Sequence, residues 1–187
     1  KEHPFADVQG LGGGVTIGVD LAISMRENAD YTALVVMRRT PDGRVFILDT
    51  IRDRLPFDKS LDLIKKTAAK WNPHLIAVEN VQYQAAMVQE LHRTTTLPVI
   101  PVRPERDKIT RFLPVEARYE QGLVSHCSGV SRDFVAELLA FPDSEHDDFV
   151  DALSYAWQGQ CVLAATNMSK PKPRHEAKPL TWSGLFK

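Results

Sequence analysis

The sequence predicts one mixed α/β domain, and three patterns lead to this prediction. Residues 15–21 alternate between apolar and polar side chains, which is typical of a half-buried strand. Residues 75–78 are all apolar, as strands buried in a parallel sheet are. Several longer segments repeat apolar residues at helical spacing. The 187 residues, of which 43% are hydrophobic, suffice for one domain with a substantial core.

The first half of the chain predicts an antiparallel meander. The strand over 15–21 is followed by a second strand over 32–37. The turn residues Pro-Asp-Gly at 41–43 then lead into a third strand over 44–51. Apolar residues at helical spacing predict a helix over 58–70, which an Asn-Pro pair ends.

The second half of the chain alternates helices with short strands. Strands are predicted over 75–78, 97–102 and 123–124, and helices over 83–92, 105–120, 133–139 and about 147–165. Pro114 predicts a kink or break in the third of these helices. A three-strand antiparallel meander plus two parallel strands, with helices on the sheet, is the order expected of an RNase H-like fold.

Both ends of the chain differ in composition from residues 15–166, the predicted domain. Residues 1–14 are charged and rich in glycine, as linkers are. Because the chain starts with Lys rather than Met, we expect a fragment of a longer protein. Residues 167–187 are predicted to form a mobile basic tail, since five basic and one acidic side chains from residue 169 onward give a charge of +4.

Charge and cysteine content exclude several classes of protein. Lys and Arg number 23 against 24 Asp and Glu, so the net charge of −1 excludes a bulk polycation. Any contact with nucleic acid must therefore come from local patches. Two cysteines make neither a disulfide framework nor a zinc site, and a reducing, intracellular compartment is expected. No apolar run approaches the ~18 residues of a membrane span.

Three separated positions carry acidic side chains that suggest chemistry. Asp20 ends the first strand, although aspartate is rare within strands. Glu79 ends the buried strand, and ligands of open α/β sheets bind beyond the carboxyl ends of strands. On the last helix, Asp147, Asp148 and Asp151 fall within an arc of about 100°. Each position also has an ordinary explanation: a strand-end turn, a return to the surface, or acids that stabilise a helix N-terminus.

The last helix is apolar nearly all round, so its acids are expected to face a cleft rather than solvent. Two carboxylates ~5 Å apart repel by roughly 3 kcal/mol at an effective dielectric constant of ~20, so a cluster needs protons or metal ions. Ligand sets made only of oxygen select hard ions such as Mg²⁺ or Mn²⁺. Two such ions ~3.5–4 Å apart can bind both the attacking water and the leaving oxygen of a phosphodiester. The acids therefore predict metal-assisted phosphodiester hydrolysis.

Four segments together resemble the C-terminal nuclease domain of tailed-phage terminase large subunits. They are 18–22 (GVDLA), 30–33 (DYTA), 76–80 (IAVEN) and 146–153 (HDDFVDAL). The resemblance covers roughly residues 15–165. It implies an RNase H-like endonuclease with two Mg²⁺ or Mn²⁺ ions per site, which cleaves concatemeric double-stranded viral DNA during genome packaging in the host cytoplasm.

The resemblance also implies roles for the acids. Asp20 matches the family's first-strand aspartate and is expected to touch both ions, and Glu79 matches the second acidic position. Asp148 is the preferred third ligand. Asp148 and Asp151 also match the D-x-x-D-A-L helix start of the related Holliday-junction resolvases, so Asp151 is expected to be a metal-site residue too. Asp20, Glu79, Asp148 and Asp151 are the expected catalytic residues. Asp147 is a further metal-site residue, expected to act through water.

Residues 103–118 supply the best local patch for DNA. Five basic and three acidic side chains give this segment a charge of +2. We predict phosphate contacts from Lys108 and Arg111, which lie one helical turn apart, and from Arg106. A solvated charged face would have the same composition.

The resemblance implies partners as well. The family's nuclease normally follows an ATPase motor in the same polypeptide, and it works with a terminase small subunit and with the portal of the procapsid, away from membranes. The motor needs a phosphate-binding loop with a Gly-Lys pair. The chain contains no Gly-Lys pair, so the motor and its nucleotide cofactor are expected outside it.

Three alternatives remain open on the sequence. The nearest is another RNase H-fold nuclease, either a Holliday-junction resolvase or a transposase core. The segment 18–22 also resembles the first phosphate-binding strand of sugar kinases, although that fold needs two lobes and a longer chain. The third alternative is a DNA-docking module without catalytic activity.

Overall fold

The computed structural model describes residues 2–3, 8, 10–21, 31–80 and 85–169, with side chains for residues 8, 10–21, 31–80 and 85–166. The described residues form a seven-stranded sheet and five helices. The strands are β1 (Glu2–His3), β2 (Gly14–Asp20), β3 (Thr32–Arg39), β4 (Val45–Asp53), β5 (Leu75–Glu79), β6 (Val99–Val102) and β7 (Val124–Gly129). The helices are α1 (Phe57–Trp71), α2 (Ala85–Thr94), α3 (Lys108–Glu120), α4 (Arg132–Ala140) and α5 (Asp148–Ser169).

The sheet is mixed, with the strand order β1-β7-β4-β3-β2-β5-β6. Strands β2, β3 and β4 form the predicted antiparallel meander. Strand β5 lies parallel to β2, and β6 lies parallel to β5. The predicted fold class, a meander with two parallel strands flanked by helices, is therefore confirmed. The sheet also extends beyond β4, where β7 pairs in parallel with β4 and β1 with β7.

The sheet has a hydrophobic core on each face. Leu34 and Val35, adjacent residues of β3, belong to different cores, as the alternation of a strand requires. One core includes Ile64 of α1 and Leu91 of α2. The helix residues buried in the other core include Phe112 (α3), Phe134 (α4) and Phe149 (α5). Helices α1 and α2 therefore cover one face, and α3, α4 and α5 cover the other.

Helix α5 packs directly on β2, which makes this contact important for the site. Gly18 faces the helix, and a Cβ at this position would lie 1.9 Å from the backbone oxygen of Ala152. Thr16 Oγ1 donates a hydrogen bond of 3.0 Å to the backbone oxygen of Ala156. Only a glycine lets the helix approach the strand this closely, so the start of α5 lies next to the end of β2.

Several predicted bounds differ from the observed ones. Helix α3 begins at Lys108 because the Asp107 side chain caps it, accepting a hydrogen bond of 2.9 Å from the Thr110 backbone N–H. Pro114 does not break α3, although it lacks the backbone N–H of a helical hydrogen bond. The buried side chains of Phe112 and Val115, on either side of the proline, anchor the helix to the core. Strand β7 is longer than the predicted 123–124 because its polar residues conceal the strand pattern.

Parts of the segment 1–14 contact the domain. Strand β1 pairs with β7, and Val8 is buried. Arg38 Nη1 donates a hydrogen bond of 3.0 Å to the Val8 backbone oxygen. Helix α5 continues past residue 166, and most of the predicted basic tail lies outside the described residues. The domain limits themselves stay a prediction. Among the described residues, no helix has the length and apolar character needed to cross a membrane.

Candidate active site

Asp20 and Glu79 lie side by side at one edge of the sheet. Val19 of β2 stands opposite Val78 of the parallel strand β5, and each acid is the next residue of its strand. The two carboxyl groups share a hydrogen bond, which requires a proton on one of them. Burial raises the pKa of Asp20 well above its usual range, and the hydrogen bond and the charge of Glu79 raise it further.

The start of α5 brings two more acids to this pair. Asp148 is the first residue of the helix, and Asp151 follows one turn later. The negative charges of Asp151 and Asp148 both raise the pKa of Asp20, and burial raises the pKa of each of these two helix acids as well. The structure therefore brings together four of the five predicted metal-site residues in one cluster.

Helix α3 places two basic side chains against the acids of α5. Arg111 Nη2 donates a hydrogen bond of 2.6 Å to Asp151 Oδ1. Lys108 Nζ lies 3.1 Å from Asp151 Oδ2 and also forms an ion pair with Asp147, the fifth predicted residue. These cations compensate negative charge that the sequence analysis expected protons or metal ions to neutralise.

Two of the three predicted phosphate contacts, Lys108 and Arg111, therefore have other partners in this structure. Their spacing does place Lys108 and Arg111 on one side of α3, as predicted, but that side faces the acids. The Arg111 side chain is only 7% exposed. Arg106 is exposed before the helix begins. The assignment of all three to DNA stays a prediction.

Tyr155 links the two halves of the acidic cluster. Its ring is fully buried on α5, and its hydroxyl donates a hydrogen bond of 2.8 Å to Glu79 Oε1. The same hydroxyl accepts a hydrogen bond of 2.8 Å from Arg111 Nη1. Burial and the nearby carboxylates raise the pKa of Tyr155, so the hydroxyl stays protonated at physiological pH. Tyr155 lies one turn after Asp151, and this i, i+4 spacing is the signal that could have found it.

Asp148 is the acid with the least hydrogen bonding. Its Oδ2 atom is buried and has no hydrogen-bond partner among the described residues. Arg52 Nη1 is 3.8 Å away, too far for a hydrogen bond, and it contacts Glu137 Oε2 at 2.6 Å instead. A buried carboxylate oxygen without a donor is a suitable ligand for a cation.

Glu137 is a functional neighbour that the sequence analysis missed. Its Oε1 atom accepts hydrogen bonds from the backbone N–H groups of Phe149 (2.7 Å) and Val150 (3.0 Å), so it caps the N-terminus of α5. Burial raises the pKa of Glu137 to about 7, against the opposing effects of these donors and of Arg52. The available signal was an acid three residues after Phe134, on the apolar face of α4.

The acids have the ligand chemistry that a hard cation needs, but their side chains are not yet arranged around one. No three His, Cys, Asp or Glu side chains within the described part of the chain already stand together as a metal-binding group. The donors are carboxylate oxygens from β2, β5 and α5, which Mg²⁺ and Mn²⁺ prefer. The shared proton and the basic side chains occupy part of this oxygen set, so the residues fit a cation that replaces the proton.

The sheet order and the acids at the ends of β2 and β5 define an RNase H-like domain. A family model described as the terminase RNaseH-like domain matches residues 17–159. The chain belongs to this family, whose members are nuclease domains of terminase large subunits. The resemblance stated from the sequence is therefore confirmed. A comparison with curated protein sequences finds no match.

Solved structures share the fold at low sequence identity. The large terminase nuclease from thermophilic phage G20c with bound zinc is 18% identical, with a TM-score of 0.59 over 78% of this chain and 81% of that one. The manganese-soaked human cytomegalovirus terminase nuclease domain is 15% identical, with a TM-score of 0.60 over 89% and 93%. The yeast mitochondrial Holliday junction resolvase is 14% identical, with a TM-score of 0.54 over 82% and 80%.

Proposed function

We propose that this chain is the metal-dependent endonuclease domain of a terminase large subunit, which cleaves concatemeric double-stranded viral DNA during genome packaging. The observation that carries the proposal is the meeting of Asp20, Glu79 and the acids of α5 in a member of the terminase RNaseH-like family. The reaction class is phosphodiester hydrolysis.

We assign Asp20, Glu79 and Asp148 as the residues that hold Mg²⁺ or Mn²⁺. Two such ions would activate a water molecule and stabilise the leaving oxygen of the phosphodiester. Related nuclease domains solved with manganese and with magnesium support this choice. Asp20 would give up the proton that it shares with Glu79 in order to act as a ligand. Asp147 and Asp151 add negative charge beside the site.

Other residues of the chain hold the acids in place. Glu137 fixes the N-terminus of α5 and keeps Arg52 beside Asp148 without a direct hydrogen bond. Lys108 is half exposed and reaches the rim of the cluster, so it remains our candidate for a DNA phosphate, together with Arg106. The ATPase motor, the small subunit and the portal of the procapsid are the proposed partners, in the host cytoplasm.

Nicking of supercoiled plasmid in Mn²⁺ tests the proposal. The wild-type chain should nick or linearise the plasmid, and Asp20→Asn and Glu79→Gln should each lose this activity, since both remove a ligand oxygen. Asp58→Asn is the matched control, because Asp58 is an exposed acid on α1 whose salt bridge is to its neighbour Lys59. Activity that survives in Asp20→Asn would refute the proposed site.

A four-way DNA junction separates the terminase assignment from its nearest alternative. The yeast resolvase shares the fold, so the fold alone does not distinguish the two. A terminase nuclease should cut linear duplex and junction at similar rates. Symmetric nicking of the junction in strong preference to duplex would instead indicate a resolvase.

A further inference from the structure

Two side chains that are not metal ligands connect the acids of the site. Arg111 Nη2 donates to Asp151 Oδ1 at 2.6 Å, and Arg111 Nη1 donates to the Tyr155 hydroxyl at 2.8 Å. The Tyr155 hydroxyl then donates to Glu79 Oε1 at 2.8 Å. Three consecutive hydrogen bonds therefore join Asp151 of α5 to Arg111 of α3, Arg111 to Tyr155 of α5, and Tyr155 to Glu79 at the end of β5.

Donor and acceptor roles along this path are fixed by chemistry. A guanidinium only donates hydrogen bonds, so Arg111 is the donor to both of its partners. The single hydroxyl proton of Tyr155 is consequently directed to Glu79. A hydroxyl that accepts from a cation is a stronger donor, because the bonds polarise each other in a buried chain.

Burial makes the path rigid. Tyr155 is fully buried and packs with Ala77 and Val102, on strands β5 and β6. The side chains of Arg111 and Asp151 are 7% and 8% exposed. Water therefore competes weakly for these bonds, and the tyrosine ring has a single orientation relative to β5.

Asp151 is satisfied within this arrangement. Arg111 takes its Oδ1 atom and Lys108 lies 3.1 Å from its Oδ2 atom. By contrast, Asp148 Oδ2 has no hydrogen-bond donor among the described residues. The two acids of the D-x-x-D helix start thus differ: one anchors Arg111, and the other keeps an oxygen for a cation.

We propose that Arg111 and Tyr155 are positioning residues, which fix the carboxylate of Glu79 relative to α5 so that it can bind the metal. This inference rests on the proposed function of the acidic cluster. Arg111 acts through Tyr155 and Asp151, while Tyr155 holds one oxygen of Glu79 directly. Neither residue touches the phosphodiester in this role.

Two conservative variants test the proposal without changing the charge of the site. Tyr155→Phe keeps the ring and removes the bond to Glu79, and Arg111→Lys keeps the cation but loses the two-pronged contact. Removing an outer partner of a metal ligand typically lowers metal affinity about 10- to 100-fold, and we expect a loss in this range for each variant. The readout is Mn²⁺ affinity by isothermal titration calorimetry on the full chain.

The controls carry the same substitutions elsewhere. Tyr119→Phe removes a hydroxyl that forms a hydrogen bond with His126 of β7, and Arg118→Lys changes a cation that lies over the ring of Trp157. Neither residue contacts an acid of the cluster in these bonds. Both should bind Mn²⁺ as the wild type does. Circular dichroism checks the fold of every variant, and Arg111→Lys decides the outcome if Tyr155→Phe does not fold.

The double variant adds a result that a purely structural role would not give. Because both residues act on Glu79 through one path, Tyr155→Phe with Arg111→Lys should bind Mn²⁺ about as weakly as the weaker single variant. Wild-type Mn²⁺ affinity in both single variants would overturn the positioning role of Arg111 and Tyr155 while leaving the metal site intact. If the wild-type chain shows no saturable Mn²⁺ binding, or if Asp20→Asn binds Mn²⁺ as tightly as the wild type, the metal site is refuted and the positioning role with it.

Discussion

At the scale of single residues, buried hydrogen bonds hold the start of α5 and the side chain of Glu79: Glu137 caps the helix, and Tyr155 donates to Glu79. In the sequence, Asp20 stands out because aspartate is rare within strands, and Glu79 because it ends an apolar strand. Glu137 and Tyr155 sit in helices with ordinary composition, and only the packing of α4 and α5 shows what they contact. A residue indicates chemistry from sequence alone when its type is unusual for its position, as an acid in a strand is. A glutamate or a tyrosine in a helix is not unusual.

Glu137 provides a test at this scale. Glu137→Ala removes the acceptor of the Phe149 and Val150 backbone N–H groups and the contact with Arg52. We expect a loss of about 2 kcal/mol in the free energy of unfolding, because buried donors lose their partner. The measurement is urea denaturation at pH 6, below the Glu137 pKa of about 7, where the wild-type carboxyl still contributes to stability.

Asp133→Ala on the same helix is the control for this variant. The Asp133 side chain is 79% exposed and lies 4.0 Å from Arg52. Its substitution should change the free energy of unfolding by less than ~0.5 kcal/mol. Equal stability of Glu137→Ala and wild type would show that Glu137 does not hold the start of α5.

At the scale of elements, the sequence predicted types and order better than limits and contacts. The meander, β5, β6 and the last helix were predicted from periodicity, which local sequence carries. Strand β7 was predicted too short, because its pairing with β4 is a long-range contact. The approach of α3 to α5 likewise depends on tertiary packing. Lys108 and Arg111, which the sequence predicts as phosphate contacts, therefore face the acids of α5.

The contact of β2 with α5 gives a test of one element against another. Gly18→Ala would place a methyl group 1.9 Å from the Ala152 backbone oxygen and 2.4 Å from the Ala156 nitrogen, so the helix must move. We expect a loss of about 3 kcal/mol in the free energy of unfolding, together with weaker Mn²⁺ binding as Asp148 moves away from Asp20.

Gly10→Ala is the matched control, since nothing lies within 4 Å of a Cβ at that position. Its stability and Mn²⁺ affinity should equal those of the wild type. Wild-type Mn²⁺ affinity in a folded Gly18→Ala protein would mean that the packing of α5 on β2 does not set the geometry of the acids.

At the scale of the whole molecule, the convergence of the acids follows from topology. Parallel neighbours such as β2 and β5 end at the same edge of a sheet, so acids at their ends must meet. From the sequence, the meeting of the acids is expected from the position of Glu79 at a strand end and from the resemblance to terminase nuclease domains. The basic side chains of α3 that balance part of the charge are not predictable, because those contacts join segments distant in sequence.

The balance of protons and cations makes the stability depend on pH. Burial raises the pKa of Asp20, Asp148 and Asp151, and it raises that of Glu137 to about 7. A carboxyl with a raised pKa binds more protons in the folded state. Its contribution to stability is therefore complete below the unfolded pKa of about 4 and is lost as pH rises through the folded pKa.

Divalent ions should reverse this loss. Protons compete with the cation for the same oxygens, so the gain in melting temperature from Mg²⁺ over EDTA should be near zero at pH 4 and reach several degrees by pH 8. Differential scanning calorimetry across this range measures it. A gain that does not change with pH would show that the raised carboxyl pKa values and the metal site are unconnected.

A crystal soaked in Mn²⁺ tests the central claim most directly, because anomalous scattering locates the ion independently of activity. The account predicts an anomalous peak bound by carboxylate oxygens of Asp20, Glu79 and Asp148, with Glu79 still hydrogen-bonded to Tyr155. A saturating soak that leaves no peak between the end of β2 and the start of α5 would contradict the account.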